Sequence, residues 1–115
     1  MSFMDTLRLR AAMVREWRRW APSLARAVKE VLPTAEVYVI GSAVRAEASG
    51  GSDVDILIVS PDLPEGALQR AMIKVKIEEV AGLPYYHPFE MHLVTHNEAK
   101  RYLAMAGQEK ERLIP

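Results

Sequence analysis

Apolar side chains recur at three- and four-residue intervals along the first part of the chain. Between residues 5 and 32 they are Leu7, Val14, Trp17, Ala21, Leu24, Val28 and Val31. This spacing places them on one face of a helix and therefore predicts an amphipathic helical segment. Because proline lacks the backbone donor that a helix interior needs, Pro22 predicts either a kink near residues 20–21 or a new helix that begins at Pro22.

Three later runs are short and rich in β-branched or aromatic residues, which is typical of strands. They occupy residues 37–40, 54–59 and 89–95. The first run ends at Gly41-Ser42. The second is nearly all apolar after Asp55, as expected of a central strand that is covered on both faces.

The segments between and after these strands predict helices and loops. Residues 64–81 predict the main helix, and residues 97–106 predict a last helix that begins at Asn97. Residues 42–47 have room for one or two helical turns, and residues 49–52 have the composition of a flexible loop. The charged tail, residues 107–115, is expected to fray.

This order of elements predicts an α+β fold, a small mixed sheet of three main strands with packed helices. We expect a single domain over residues 1–115. It would contain a motif core at residues 37–95, preceded by the helical segment and followed by the last helix and the tail.

Composition narrows the chemistry. The chain has 115 residues, no cysteine, and 15 basic against 15 acidic residues. Disulfides, thiolate metal sites and cysteine nucleophiles are excluded, so any bound metal must have oxygen or imidazole ligands. There is no long uncharged apolar run, which predicts a cytoplasmic protein without a membrane partner.

The zero net charge conceals an asymmetry between the two ends. Residues 1–30 contain seven basic and three acidic side chains, whereas the remainder contains eight and twelve. The basic segment is either a solvated helix face or a patch for a phosphate or an acidic partner, and the neutral total argues against bulk nucleic-acid binding.

An acidic pair stands at the start of the second strand. Because side chains alternate along a strand, Asp53 and Asp55 project from the same face. Two close carboxylates repel each other, and oxygen ligands favour a hard cation such as Mg²⁺, which commonly shares its shell with substrate phosphates. The pair therefore predicts a metal site for a nucleoside triphosphate. A solvated strand start is the alternative.

Residues that suit a phosphate precede the acidic pair. Gly41 allows close backbone approach at the end of the first strand, and the Ser42 hydroxyl and Arg45 guanidinium can donate to phosphate oxygens. We include Ser52 in this nucleotide-binding set, although a turn or cap residue is its simpler interpretation.

Topology adds a third acid. The short connection from Gly41 to Ser52 predicts an antiparallel first pair, and the strand-helix-strand unit predicts a parallel, right-handed return. The start of the third strand then reaches the same edge, with Glu90 and, two residues further on, His92. Glu90 is either the third carboxylate or an exposed edge acid. His92 is either structural, a residue that supports another site residue, or an acceptor-side base.

Taken together, the motif comprises Gly41-Ser42, Arg45, Ser52-Asp53-Val54-Asp55 and Glu90. Over residues 37–95 this pattern resembles the DNA polymerase β-like nucleotidyltransferase superfamily, in particular the antitoxin type within its minimal nucleotidyltransferase (MNT) branch. The resemblance implies the fold of that superfamily and transfer of a nucleoside monophosphate, AMP from ATP, to a protein or RNA acceptor.

The resemblance also implies roles for the motif residues. Asp53, Asp55 and Glu90 would hold Mg²⁺, one ion or two, and act as the catalytic residues, with Glu90 on the acceptor side. Ser42 and Arg45 would hold the triphosphate. Two departures stand out: the third acid of the family is most often Asp, and Ala46 replaces a common glycine.

Many small members of the branch are encoded beside a HEPN-domain protein, act as its antitoxin and can adenylylate it. One hypothesis is therefore an adenylyltransferase that modifies such a partner or an RNA. A second is a catalytically weak module that neutralises a HEPN RNase by occlusion, through an apolar helix face and the basic first helix. A third is a self-associating nucleotide-binding protein, and a homo-oligomer is compatible with all three.

Overall fold

The computed structural model describes residues 1–48, 51–106 and 109–115, and within these ranges four strands form one sheet. The strands are β1 (Glu36–Ile40), β2 (Val54–Val59), β3 (Phe89–Val94) and β4 (Lys110–Leu113). Their order across the sheet is β3-β2-β1-β4. The strand β1 is antiparallel to both neighbours, whereas β2 and β3 are parallel. The predicted pairing of the first three strands is confirmed.

Four α-helices accompany the sheet in the described ranges. They are α1 (Phe3–Arg15), α2 (Trp17–Val31), α3 (Ala67–Ala81) and α4 (His96–Ala106). The helix α3 ends at Gly82, whose φ of 66° is the left-handed conformation that glycine adopts at helix ends. The mixed α/β fold is thus confirmed, with the first predicted helix divided into two. None of these helices is long and apolar enough to cross a membrane.

The break in the first helical segment lies at Glu16, not at Pro22 as predicted. Glu16 leaves helical geometry at φ −109° and ψ 28°, and its carbonyl accepts a hydrogen bond from the Arg19 N–H, which begins α2. Pro22 lies inside α2 on its exposed side, where the carbonyl that loses a partner can be hydrated. The proline therefore does not interrupt the helix.

The start of α4 also differs from the prediction. Thr95, rather than Asn97, caps this helix: the Glu98 N–H donates to Thr95 Oγ1 at 3.3 Å, and the Thr95 N–H donates to the Glu98 carboxylate at 2.8 Å. This reciprocal pair is a capping box, in which a threonine and a glutamate three residues apart satisfy each other's backbone donors.

The charged tail was predicted to fray, and this prediction is wrong for residues 110–113, which form a strand. Residues 110–113 pair with β1 as a fourth strand, and Leu113 is buried against the main core. Two other parts of the predicted segments, Ser49-Gly50 of the loop and Gly107-Gln108 of the tail, lie outside the described residues. The predicted helical turn after β1 is a 3₁₀ turn at Gly41–Ala43.

Side chains alternate between two core layers on opposite faces of the sheet. One layer packs the sheet against α1, α2 and α3 and includes Val39, Ile56 and Met91. The other packs it against α4 and includes Ile40, Leu57, Val59, Val94 and Ala99. Since side chains two residues apart share a face, Asp55 lies on the α4 side together with Leu57. The candidate site therefore faces α4.

Candidate active site

The predicted acidic residues come together at one end of the sheet. Asp55 and Glu90 are register partners in the parallel β2–β3 pair, and Asp55 also faces Ile40 of β1. Asp53 precedes β2 and is close enough to hydrogen-bond with the Glu90 carboxyl. The structure thus brings Asp53, Asp55 and Glu90 into one group, which we call the acidic cluster.

The acidic cluster holds more negative charge than its surroundings balance. The pKa of Glu90 is raised, first by the hydrogen bond that its protonated carboxyl makes with Asp53, then by desolvation and by the charge of the two aspartates. His92 acts in the opposite direction but does not cancel the shift. The raised pKa of Glu90 is what neighbouring carboxylates produce when their negative charges lie close together.

His92 contacts the acidic cluster directly. Its Nε2 lies 3.1 Å from Asp55 Oδ1, and its ring packs against Tyr102 of α4 with centroids 5.3 Å apart and planes tilted by 45°. The histidine therefore links the acid on β2 to the helix that covers this face. Of the roles considered for His92, this contact supports that of a residue that acts through another site residue, here Asp55.

Arg10 of α1 is a site residue that sequence reasoning missed. It binds the Asp53 carboxylate, and its Nη1 donates to the Ser52 carbonyl at 3.0 Å. Its side chain is largely buried for an arginine, 20% exposed. No local motif indicates this contact, because Arg10 is more than 40 positions away in sequence. It appears in the chain only as one of several basic residues on the polar side of a helix.

Gly41 forms the turn beside the acidic cluster. Its φ of 80° is a conformation that side-chain-bearing residues rarely adopt, and a Cβ placed on it would lie 3.4 Å from Asp55 Oδ2. Ser42 follows in the 3₁₀ turn, and its carbonyl accepts a hydrogen bond from the Glu47 N–H at 2.9 Å. The backbone of the predicted phosphate-binding turn thus lies against one of the predicted metal ligands.

Arg45 is the predicted site residue that the structure does not join to the acidic cluster. Its guanidinium binds Glu47 at 2.9 Å and also binds Glu109, which precedes β4. These two carboxylates raise the pKa of Arg45, so the side chain stays charged. A phosphate bound at Arg45 would replace one of these partners.

The donor set suits a hard divalent cation. The three carboxylates, one on β2, one on β3 and one just before β2, offer only oxygen ligands, and their excess negative charge favours a cation. In residues 1–48, 51–106 and 109–115, however, no three acidic or histidine side chains are oriented to ligate one ion together. Asp53 instead binds Arg10 and Asp55 contacts His92. The chemical type of these ligands therefore fits Mg²⁺, and binding of the ion requires the carboxylate side chains to change rotamer.

A cavity of about 460 Å³ opens between this edge of the sheet and the second half of α4. Its lining includes Gly41, Asp55 and His92 from the site and Arg101 and Tyr102 from α4. Asp55 of the acidic cluster therefore borders an open pocket large enough for a small-molecule ligand.

Comparison with known proteins agrees with this geometry. The family described as "Nucleotidyltransferase domain" matches residues 22–111. No curated protein sequence matches the chain significantly. Among solved structures, a provisionally assigned nucleotidyltransferase is 31% identical, with a TM-score of 0.60, over 77% of this chain and 91% of that chain.

Two further structures share the fold at lower identity. A provisionally assigned nucleotidyltransferase from Sulfolobus solfataricus is 20% identical, with a TM-score of 0.58, over 89% of this chain and 84% of that one. A toxin-antitoxin structure with AMP-PNP is 17% identical, with a TM-score of 0.57, over 80% and 70%. The resemblance to the polymerase β-like superfamily is confirmed, and the chain belongs to the nucleotidyltransferase domain family.

Proposed function

We propose that this chain is a Mg²⁺-dependent adenylyltransferase that transfers AMP from ATP to a protein or RNA acceptor. The observation that carries the proposal is the acidic cluster: Asp53, Asp55 and Glu90 meet at one end of the sheet, directly beside the Gly41 turn. A nucleotidyltransferase domain needs a place where phosphate and divalent cation meet, and these residues supply its oxygen ligands.

In this proposal Asp53, Asp55 and Glu90 hold the cation. When bound, Mg²⁺ neutralises charge on the triphosphate and makes the acceptor oxygen more nucleophilic. The Gly41 turn and the Ser42 hydroxyl hold the phosphates in place, and Arg45 contributes charge after exchanging a carboxylate partner.

The transfer itself is an in-line displacement at the α-phosphorus. The acceptor hydroxyl oxygen forms the new P–O bond, the bond from the α-phosphorus to the bridging oxygen breaks, and pyrophosphate leaves. The acceptor proton passes to the Glu90 carboxylate, which acts as the general base. The protein otherwise acts by positioning the two reactants.

The similar toxin-antitoxin structure supports the choice of ATP as the nucleotide and of a toxin as the partner. That structure was determined with AMP-PNP, an ATP analogue. By this likeness we propose ATP as the donor and a HEPN-type toxin as the acceptor or binding partner, in a cytoplasmic toxin-antitoxin pair.

The test is transfer of label from α-³²P-ATP, with Mg²⁺, to the product of the neighbouring gene. We expect labelled partner with the wild type and none with Asp53→Asn or Asp55→Asn. Asp62→Asn is a matched control, because Asp62 is an exposed aspartate that contacts Thr34 and lies outside the cluster. Label that persists in both cluster variants would contradict the proposal.

A second candidate is neutralisation by occlusion, and the surface of α3 favours it. Leu68, Met72 and Val75 are 73%, 65% and 52% exposed. Their spacing of four and three residues makes one apolar stripe, of the kind that marks a protein interface. If this function is the correct one, Asp53→Asn and Asp55→Asn will neutralise the toxin as well as the wild type does, and no label will appear.

A further inference from the structure

The cavity beside the acidic cluster contains residues that the motif does not include. Its wall is formed by Arg101, Tyr102 and Met105 of α4, and its floor by the end of β1 and the start of β2. Met105 lies four residues after Arg101 and three after Tyr102, so it is a neighbour of both on the surface of α4 that lines the cavity. Its volume of about 460 Å³ is within the usual range for small-molecule pockets.

We propose that this cavity binds the nucleoside end of the triphosphate, with Tyr102 packed on the nucleobase and Arg101 in contact with a phosphate. The inference rests on the proposed function and extends it, because it assigns two binding residues on α4. The motif residues explain how phosphates and cation are held, whereas the α4 wall explains where the rest of the nucleotide lies.

The Tyr102 ring is held in a position where it could stack on a nucleobase. One part of its ring packs on the smaller core layer, and its ring also contacts His92 at 5.3 Å. These contacts hold the side chain in place before a ligand arrives, so stacking costs little conformational entropy. Met105 and Ile40 supply apolar surface to the same cavity. A flat aromatic ligand would therefore find an open, largely apolar pocket with one fixed ring.

Arg101 and Asp55 both line the cavity, so its surface carries one positive and one negative side chain. Within the described ranges it makes no salt bridge, so its guanidinium is available to a ligand. The cavity is thus lined by a carboxylate (Asp55), a glycine turn (Gly41), a guanidinium (Arg101) and an aromatic ring (Tyr102). A purely apolar ligand would leave Arg101 unused, and an inorganic anion would leave the Tyr102 wall unused. A nucleotide uses both.

The test is calorimetric binding of ATP and of inorganic tripolyphosphate to the full chain in Mg²⁺. We expect Tyr102→Ala to weaken ATP binding about ten-fold and to leave tripolyphosphate binding unchanged, because stacking involves only the base. Tyr102→Phe keeps the ring and should bind ATP within about two-fold of the wild type. Arg101→Gln should weaken the binding of both ligands. Lys100 is an exposed neighbour on α4, and Lys100→Gln should weaken the binding of neither.

The outcomes separate this inference from the proposed function. If the wild type binds ATP and Tyr102→Ala binds it equally well, the inference is wrong and the proposed function stands. If Tyr102→Ala weakens ATP and tripolyphosphate alike, the tyrosine only supports the site and base stacking is wrong. If the wild type binds neither ligand, the inference and the proposed function fail together.

Discussion

Ala46 occupies a backbone conformation that suits glycine. Its φ is 59°, in the left-handed region. Among the described residues, no other non-glycine residue has a positive φ. This conformation costs a residue with a Cβ roughly 1–2 kcal/mol. The departure from the family's glycine, noted in the sequence, thus has a physical meaning: the turn after Arg45 is strained.

Ala46→Gly should therefore stabilise the protein. Glycine removes the strain but gains freedom in the unfolded chain, so we expect the free energy of unfolding to rise by about 0.5–1 kcal/mol. Chemical denaturation measures it. Ala104→Gly is the matched control: Ala104 lies exposed in α4, and the same change there should cost about 1 kcal/mol. Loss of stability in Ala46→Gly would show that the turn is relaxed.

Glu90 is the member of the acidic cluster whose charge is least compensated. Asp53 binds Arg10 and Asp55 contacts His92, whereas the pKa of Glu90 is raised. Glu90→Gln should therefore raise the melting temperature at pH 7 in the presence of a chelator. Glu65→Gln, at an exposed site on the loop before α3, should leave it unchanged.

The same variant tests metal binding. A ligand that binds only the folded state stabilises it by mass action, so Mg²⁺ should raise the melting temperature of the wild type more than that of Glu90→Gln. An equal rise in both proteins would mean that Glu90 does not help to hold the cation.

At the scale of elements, Arg70 ties α3 to the start of α4. Its guanidinium binds both oxygens of Glu98, at 2.8 and 3.1 Å, and donates to the Leu93 carbonyl of β3 at 3.2 Å. Glu98 also accepts from the Thr95 N–H. This backbone hydrogen bond and the arginine together lower the pKa of Glu98 to about 2. One carboxylate thus serves both a helix cap and a link between helices.

The lowered pKa predicts how stability depends on pH. The pKa of Glu98 is lower in the folded protein than its ordinary value of 4.5, so its contribution is complete above about pH 4.5 and is lost as the pH falls through about 2. Glu98→Gln should have a lower melting temperature than the wild type at pH 7, and the difference should shrink between these values. Glu79→Gln on exposed α3 is the control. A difference independent of pH would contradict the assignment.

Element types were more predictable than their ends. The strands at 54–59 and near 37–40 follow directly from β-branched runs, and their pairing follows from short connections. The end of a helix depends on which residue captures a free backbone donor. Thr95 and Asn97 were both capable, and only the contact with Glu98 separates them. Likewise, Pro22 is tolerated inside α2 because the carbonyl that loses its helical partner lies on the exposed side of the helix, where water can reach it.

At the scale of the whole molecule, β4 closes the sheet beside β1. Leu113 is 7% exposed and belongs to the main core layer, whereas Ile114, the next residue, is 73% exposed. Leu113→Ala should therefore lower the free energy of unfolding by about 2–3 kcal/mol. Ile114→Ala should stay within about 0.5 kcal/mol of the wild type. Similar, small losses in both variants would show that β4 adds little to the fold.

The parts that sequence could not predict share one cause, which is dependence on distant partners. The strand β4 contains Lys110, Glu111 and Arg112, a charged run with little strand propensity, and it forms because the edge of β1 accepts it. Arg10 reaches Asp53 only once α1 lies beside β2. The acidic cluster was predictable because strand alternation and one right-handed crossover were sufficient to bring its members together.

The parallel register of β2 and β3 has a consequence for how such sites diversify. Ladder hydrogen bonds, and not the chain between them, set the separation of Asp55 and Glu90. Insertions or deletions in α3 and its loops can therefore leave the carboxylates in place, while a slip of one residue in β3 would turn Glu90 to the opposite face. Relatives with very different intervals between their second and third acids can thus keep the same chemistry.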